Sequence, residues 1–240
     1  MARTVTVTIV RHGETDHNKA GIIQGHLDVP LNDQGVAQGR VTAKWFRDQS
    51  ILFDRAYSSD LSRAKKTAQL ILAQQPGGGV ELVEDERIRE RYLGNLQGKR
   101  RGDPGTDPST VEPVAQLRSR LFSFWDDVFP PSSTSPTTTS TSSPNYLYVS
   151  HGAAIREFLQ ALITDPSTRH RYDLASMPPG EEEMLRTGAK RIGNCARTVI
   201  EMTQDEKTSE WHGKILCYAD DSHFIDSSRA PSPRANADIL

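Results

Sequence analysis

A chain of 240 residues is long enough to bury a substantial hydrophobic core, as one large domain or two small ones. Its 29 lysine and arginine residues nearly balance its 31 aspartate and glutamate residues, so its charge favours neither nucleic acid nor an acidic membrane surface as a partner. Two cysteines are too few for a disulfide framework, and no stretch resembles a signal peptide or a membrane span. We therefore expect a cytoplasmic protein with no membrane partner.

The first half of the chain alternates strand patterns with helix patterns. Residues 4–10 place valine or isoleucine at alternate positions, which is the period of a β-strand. Further strands are predicted where short apolar runs occur, and helices where apolar residues recur every three or four positions. In chain order these elements are a helix at 33–49, a strand at 53–59, a helix at 60–74, a strand at 80–86 and a helix at 114–129.

The second half begins with a low-complexity segment, residues 130–145, whose proline, serine and threonine predict a disordered surface loop. The elements after it are a strand at 146–150, a helix at 153–163, a long excursion at 164–194 and strands at 196–203 and 214–220. Residues 227–240 predict a disordered tail. We predict a single α/β domain over residues 1–226, a three-layer α/β/α sandwich whose mostly parallel central sheet is flanked by helices.

Two predicted strands end in a histidine that is followed by glycine. Arg11, His12 and Gly13 follow the first strand, and His151 and Gly152 follow the strand after the low-complexity segment. Ligands of open α/β sheets bind beyond the carboxyl ends of the strands, and glycine allows a ligand to approach backbone N–H groups closely. Either histidine alone is more simply a structural residue, but the pair predicts a pocket for phosphate.

Two further side chains fit the same pocket. Arg63 lies near the start of the helix at 60–74, where its forked guanidinium and the helix N-terminus could both face phosphoryl oxygens. Glu90 lies in a glycine-containing stretch after the third strand, and its carboxyl group could protonate a leaving alkoxide. Each would be interpreted as a solvated charge if it occurred alone, and only the combination with the two histidines indicates a site.

Three other kinds of phosphate or hydrolase site do not fit the sequence. The stretch 94–100 resembles a P-loop only loosely, because its glycines are four apart and no serine or threonine follows the lysine. A thiol phosphatase needs an arginine shortly after its cysteine, but six residues after Cys195 and Cys217 stand Glu201 and His223. The seven histidines form no HxxxH pair, so we expect no metal and no other cofactor.

Four motifs occur in the order and approximate spacing of the histidine phosphatase superfamily, also called the phosphoglycerate mutase-like family. They are VRHGET at 10–15, SSDLSRAKKTA at 58–68, RERYLGNLQG at 89–98 and VSHG at 149–152. The resemblance extends from Thr4 to Phe224, where ADDSHF is similar to the family's closing NDxxHL segment with Ala219 in place of the asparagine. The motifs are most similar to those of TIGAR-like fructose bisphosphatases and phosphoglycerate mutases.

The resemblance implies an enzyme that works through a phosphohistidine. His12 would be the nucleophile, with its other ring nitrogen held by an acceptor that we expect to be a backbone carbonyl. Arg11, Arg63 and His151 would hold the phosphoryl group and stabilise its charge. Glu90 would protonate the leaving oxygen and then accept a proton from water. The substrate-binding positions that the resemblance implies are Asn18, Gln24, Gly25 and Asn194.

The resemblance alone does not decide between hydrolysis and phosphoryl transfer. After the acid segment, the mutases carry a motif of paired arginines followed by serine, an aromatic residue and aspartate. No such motif occurs between Lys99 and Pro130, so we expect a phosphatase. A small sugar phosphate or bisphosphate is the expected substrate, and a broader range of monoesters stays open. Basic clusters at 99–101 and 169–171 could contact a second phosphate, although solvated turns explain them more simply. A mutase and a non-catalytic phospho-ligand regulator remain alternatives, the latter disfavoured because all five catalytic positions are occupied.

Overall fold

The computed structural model describes residues 3–77, 79–100, 102–104, 107–129, 143–168 and 171–224. Within these ranges, one seven-stranded sheet has the order β3-β2-β4-β1-β6-β7-β5. The strands are β1 (Arg3–Arg11), β2 (Arg55–Ser58), β3 (Leu82–Glu84), β4 (Asn145–Ser150), β5 (Tyr172–Asp173), β6 (Arg197–Gln204) and β7 (Trp211–Asp220). The neighbours β1–β4, β2–β4, β2–β3 and β5–β7 are parallel, whereas β1–β6 and β6–β7 are antiparallel. The predicted, mostly parallel central sheet is therefore confirmed.

The helices of the described residues are α1 (Asp16–Ala20), α2 (Asp33–Asp48), α3 (Ser62–Leu72), α4 (Val114–Val128), α5 (Gly152–Thr164) and α6 (Glu181–Thr187). Of these, α6 and the short strand β5 lie in the stretch that the sequence shows only as an excursion. In the part of the chain that the structure describes, no helix has both the length and the apolarity needed to cross a membrane.

Two hydrophobic clusters cover the two faces of the sheet. Alternate residues of β1, such as Val7 and Ile9, pack with α4 and α5, whereas Val10 packs with α2 and α3 on the opposite face. The flanking strand β4 divides its side chains in the same way, with Tyr148 on the first face and Val149 on the second. Burial of each aliphatic side chain contributes about 1.5–3 kcal/mol to the stability of the fold. The central strands are therefore firmly held, and so are the residues at their carboxyl ends.

One predicted boundary needs correction. The low-complexity loop was predicted to include Asn145, but this residue begins β4 and pairs with Thr6 of β1. Its backbone N–H donates to Asp54 Oδ2 at 2.7 Å, so its backbone is satisfied within the fold rather than by solvent. Residues 130–142 and the predicted tail at 227–240 lie outside the described residues.

Candidate active site

The carboxyl ends of β1 and β4 bring the two predicted histidines together. Because these strands pair in parallel with Arg11 opposite Ser150, the residues after them emerge side by side. The backbone N–H of His12 donates to the Ser150 carbonyl at 3.0 Å, and the ring centroids of His12 and His151 lie 5.1 Å apart. The prediction that both His-Gly strand ends share one edge of the sheet is confirmed.

The protonated nitrogen of His12 follows from its hydrogen bond. Its Nδ1 lies 2.7 Å from the carbonyl oxygen of Gly13, which can only accept, so Nδ1 carries the hydrogen and Nε2 carries the lone pair. This is the backbone carbonyl that the sequence required but did not identify. The ring is fully buried, and Nε2 has no hydrogen-bond partner among the described residues. The lone pair of Nε2 is therefore available to an electrophile that enters the site.

His151 has the opposite tautomer. Its Nδ1 accepts a hydrogen bond of 3.2 Å from Arg63 Nε, so its ring hydrogen lies on Nε2. His151 is also fully buried, and its Nε2 finds no partner in the described ranges. The adjacent imidazoles thus present one acceptor, on His12, and one donor, on His151.

Both imidazoles are neutral near pH 7. Burial lowers the pKa of His12 well below 6.5, and the positive charges of Arg11 and Arg63 lower it further, against the opposing hydrogen bond to Gly13. Burial and then Arg63 similarly lower the pKa of His151 well below 6.5. A neutral His12 is the form that can act as a nucleophile.

The two arginines are buried and tied to backbone carbonyls. Arg11 Nη1 donates to the Ile192 carbonyl at 3.0 Å, and Arg63 donates from Nη1 to Leu27 and from Nη2 to Gly25, both at 2.7 Å. Arg11 is 1% exposed and Arg63 is fully buried. Such contacts fix the plane of each guanidinium, which gives forked donors a defined direction.

Glu90 lies at the N-terminus of α5, immediately beyond His151. Its Oε1 accepts from the backbone N–H groups of Arg91 and Ala154 at 2.8 and 2.9 Å, and its Oε2 accepts from Ala153 at 3.0 Å. The carboxylate thereby satisfies N–H groups of the first helical turn that have no partner within α5. This contact joins the acid segment to the same sheet edge as the two histidines.

The five predicted catalytic residues therefore converge at one buried place. With both imidazoles neutral, the guanidinium groups of Arg11 and Arg63 give this place its positive charge. An environment of this kind, with preorganised donors and little water, stabilises negative charge that develops on a bound group. Their catalytic roles remain predictions.

The predicted substrate-binding residues surround the end of β1. Asn194 Nδ2 donates to the His12 carbonyl at 2.9 Å and lies 3.4 Å from Asn18 Oδ1. Thr15 Oγ1 donates to Gln24 Oε1 at 2.8 Å. Gly25 has a φ of 52°, and a Cβ there would lie 2.2 Å from a side-chain oxygen of Gln97, so a larger residue would strain the backbone and push the Gln97 side chain away. Binding of substrate by these residues stays a prediction.

Sequence reasoning missed two residues that support the nucleophile. Thr67 Oγ1 accepts from the Gly13 N–H at 3.0 Å and donates to the Arg63 carbonyl at 2.7 Å. It therefore links the backbone next to His12 to the backbone of Arg63. Thr67 lies four positions after Arg63 on the same helix, so the sequence could have predicted that the two residues are neighbours. Cys195 has a φ of 57°, and its N–H donates to the Arg11 carbonyl at 3.0 Å. Nothing in the sequence indicates that Cys195 adopts this left-handed backbone conformation.

The basic clusters at 99–101 and 169–171 were considered for contact with a second phosphate. Arg101, Arg169 and His170 of these clusters lie outside the described residues. Among the residues that are described, no group of three or more His, Cys, Asp or Glu side chains could hold a metal ion.

The sequence matches a known family and several of its members. Residues 7–213 match the sequence profile of the histidine phosphatase superfamily, branch 1. A phosphoglycerate mutase-like protein 4 of Arabidopsis thaliana is 48% identical over 93 residues, which is 38% of this chain and 39% of that protein. A broad-specificity phosphatase of Saccharomyces cerevisiae is 30% identical over 176 residues, which is 70% of this chain and 74% of that protein. The chain thus matches less than half of the length of the mutase-like relative.

Solved structures share the fold. A mycobacterial glucosyl-3-phosphoglycerate phosphatase is similar with a TM-score of 0.64 over 89% of this chain and 98% of the other. The two sequences are 21% identical over this region, so the similarity concerns the fold alone.

Proposed function

The chain belongs to the histidine phosphatase superfamily, and we propose that it hydrolyses small phosphate monoesters through a phosphohistidine on His12. One observation carries the proposal: the hydrogen bond from His12 Nδ1 to the Gly13 carbonyl leaves the buried Nε2 lone pair for attack. The neighbouring Arg11, Arg63 and His151 are donors suited to phosphoryl oxygens.

In the first step, His12 Nε2 attacks phosphorus, so that a P–N bond forms while the bond to the leaving oxygen breaks. Arg11 and Arg63 face the charge on the equatorial oxygens, and the Nε2 hydrogen of His151 supplies a further donor. Glu90, in its protonated form, gives its proton to the leaving oxygen, which departs as an alcohol.

In the second step, water attacks the phosphohistidine. The Glu90 carboxylate accepts a proton from that water, the new P–O bond forms, and the P–N bond breaks to return His12 with its lone pair. Inorganic phosphate leaves, and Glu90 is again protonated for the next substrate. The division into two displacements replaces one difficult reaction by two easier ones.

The substrate class is a small sugar phosphate or bisphosphate within a broader tolerance for monoesters. A broad-specificity phosphatase is among the relatives matched over most of their length, which supports such tolerance. The mutases' motif of paired arginines followed by serine, an aromatic residue and aspartate is absent between Lys99 and Pro130, which supports hydrolysis over transfer between carbons of a glycerate.

Activity is tested with 4-nitrophenyl phosphate and a panel of phosphorylated sugars and glycerates. We expect His12→Ala to lower kcat/KM by at least about 1,000-fold, because it removes the attacking atom. The matched control is His212→Ala, which removes an exposed histidine from β7 and leaves the site untouched. Equal activity of wild type and His12→Ala would contradict the proposal.

The alternative functions, a mutase and a non-catalytic regulator, predict different experimental results. With 3-phosphoglycerate that carries a labelled phosphate, a hydrolase releases the label to solution, whereas a mutase transfers it to 2-phosphoglycerate. Several phosphoglycerate mutases match over 39% to 47% of their own length, so this comparison is required. A phospho-ligand regulator would bind members of the panel without turning any of them over.

A further inference from the structure

The acid segment around Glu90 has no regular secondary structure. Residues 89–93 belong to no helix or strand, so no regular secondary structure satisfies the carbonyl groups of Arg89 and Glu90. Ile88 and Glu90 are nevertheless buried, and buried carbonyls need donors from elsewhere in the fold. The position of Glu90 therefore depends on whichever group satisfies this backbone.

Arg120 of α4 donates to three carbonyls around Glu90. Its Nη1 donates to the carbonyls of Arg87 and Arg89 at 2.6 and 2.8 Å, and its Nη2 donates to the Glu90 carbonyl at 2.7 Å. Its Nε and Nη2 also donate to the two carboxylate oxygens of Glu112, at 2.8 and 2.9 Å. These five contacts match the five N–H bonds of a guanidinium, so a single side chain holds two carbonyls of the acid segment and the Arg87 carbonyl just before it.

Glu112 fixes Arg120 and reaches the same segment itself. The Glu112 side chain is 6% exposed, and its Oε2 accepts from the Tyr92 N–H at 3.0 Å. The carboxylate and the guanidinium are thus held together, and both contact the backbone of the acid segment. His26 Nε2 lies 2.7 Å from the Glu90 carbonyl and provides a second donor there.

We propose that Arg120, held by Glu112, is a positioning residue that aims the Glu90 carboxyl at the leaving oxygen. The inference rests on the proposed function, because it assigns Arg120 to the proton-transfer part of that reaction. Arg120 touches no carboxylate oxygen of Glu90, and it acts through the Glu90 main chain. Lysine keeps the positive charge but offers one nitrogen, which cannot bind three carbonyls and a carboxylate in this planar arrangement.

Loss of positioning has a distinctive kinetic effect. An alkoxide is a poor leaving group and needs a proton from Glu90, whereas 4-nitrophenolate leaves without one. A misplaced Glu90 therefore slows cleavage of an alkyl phosphate more than cleavage of 4-nitrophenyl phosphate. A general loss of folded protein would lower both rates by the same factor.

The test compares kcat/KM for glycerol phosphate and 4-nitrophenyl phosphate in Arg120→Lys, Glu90→Gln and the double variant. We expect Arg120→Lys to lower the glycerol phosphate value at least about tenfold and the 4-nitrophenyl phosphate value less than about threefold. The first loss is part of the roughly 100- to 10,000-fold that a general acid contributes, because the acid is misplaced and not removed. In the Glu90→Gln background, Arg120→Lys should produce no further selective loss. The matched control is Arg118→Lys, since Arg118 lies on the same helix and pairs with Glu157 instead.

Each outcome bears on a different claim. Equal losses on the two substrates in Arg120→Lys, or a selective loss in Arg118→Lys, would overturn the positioning role. If Arg120→Lys does not fold, Glu112→Gln should show a weaker selective loss of the same kind, and an unselective loss there would overturn it equally. A wild type that hydrolyses neither substrate would refute the proposed phosphatase function and, with it, the basis of this inference.

Discussion

At the scale of single residues, the site is defined by the direction of a few hydrogens. His12 faces the Gly13 carbonyl through Nδ1, and His151 faces a guanidinium hydrogen through its own Nδ1. Two identical side chains, in similar burial and 5.1 Å apart, thereby acquire different capacities. One can attack phosphorus and the other can donate to a phosphoryl oxygen, although both carry no charge near neutral pH.

The tautomers and the neutrality of these rings can be measured directly. Because burial and the adjacent arginines lower the pKa values of His12 and His151 well below 6.5, both rings should remain neutral from pH 7.5 down to 6. Ring nitrogen chemical shifts from ¹⁵N-labelled histidine should assign the hydrogen to Nδ1 in His12 and to Nε2 in His151. An imidazolium at pH 7, or the reverse assignment, would contradict this description of the site.

At the scale of elements, the end of β1 is clamped against the start of α2. A Cβ on Gly13 would lie 2.6 Å from the Gly35 carbonyl oxygen, and a Cβ on Gly35 would lie 2.1 Å from the Glu14 carbonyl oxygen. The N-cap of α2, Asn32, accepts from the Gly35 N–H at 2.8 Å and donates its own backbone N–H to the Glu14 carbonyl at 3.0 Å. The two backbones therefore meet without an intervening side chain.

This close contact predicts a strong effect of one methyl group. Gly35→Ala should destabilise the protein by about 1–3 kcal/mol, because the obstructing atoms are backbone and cannot rotate away. It should also lower kcat/KM, since the displaced Glu14 follows His12 and Gly13 directly. Urea unfolding and kinetics measure both effects. In the control Gly193→Ala, the nearest atom would lie at an ordinary 3.6 Å, and a similar loss of stability there would refute the explanation.

The periodic elements were predictable from sequence because their burial repeats locally. The patterns at 33–49 and 114–129 correspond to α2 and α4 within a residue at each end. The convergence of His12 and His151 also followed, since parallel strands present their carboxyl ends at one edge. Alternation of strands and helices did not predict the antiparallel β6 and β7, whose order in the sheet depends on long-range pairing.

Contacts between distant segments account for what the sequence did not predict in the site. Arg120 lies on a helix thirty positions after Glu90. From the sequence alone, an arginine at this position is interpreted as a solvated side chain. The carbonyls that Arg120 satisfies belong to a distant segment that only the tertiary fold places beside α4. Similarly, the Gly13 carbonyl became the partner of His12 through a local backbone turn that no residue type specifies.

At the scale of the whole molecule, burial of neutral histidines makes stability depend on pH. His223 is 3% exposed and links the end of the described chain to α2, with its Nε2 3.1 Å from Thr42 Oγ1 and its ring 5.8 Å from that of Trp45. Burial, aided by Arg197 and opposed by Asp220, lowers the pKa of His223 to about 4. Its folded-state pKa lies below the unfolded value of 6.5, so between these values only the unfolded chain binds the proton.

Stability should therefore fall as pH falls through this window. From the two pKa values, His223 alone should cost about 2 kcal/mol of unfolding free energy between pH 7.5 and 5. His223→Gln, which retains a donor for Thr42, should reduce that pH dependence by a similar amount while lowering stability somewhat at pH 7.5. Urea unfolding at both pH values measures the difference. An unchanged pH dependence in the variant would show that His223 is not the group responsible.

Direct detection of the covalent intermediate tests the proposed chemistry most sharply. Wild-type enzyme mixed with substrate is stopped within milliseconds in denaturant at neutral or alkaline pH, where phosphohistidine persists, and is then digested and analysed by mass spectrometry. We expect one phosphoryl group on the peptide from His12 to Lys19, with fragmentation assigning it to His12 rather than His17, and none in His12→Asn. A phosphoryl group on His151, or continued turnover by His12→Asn, would contradict attack by His12.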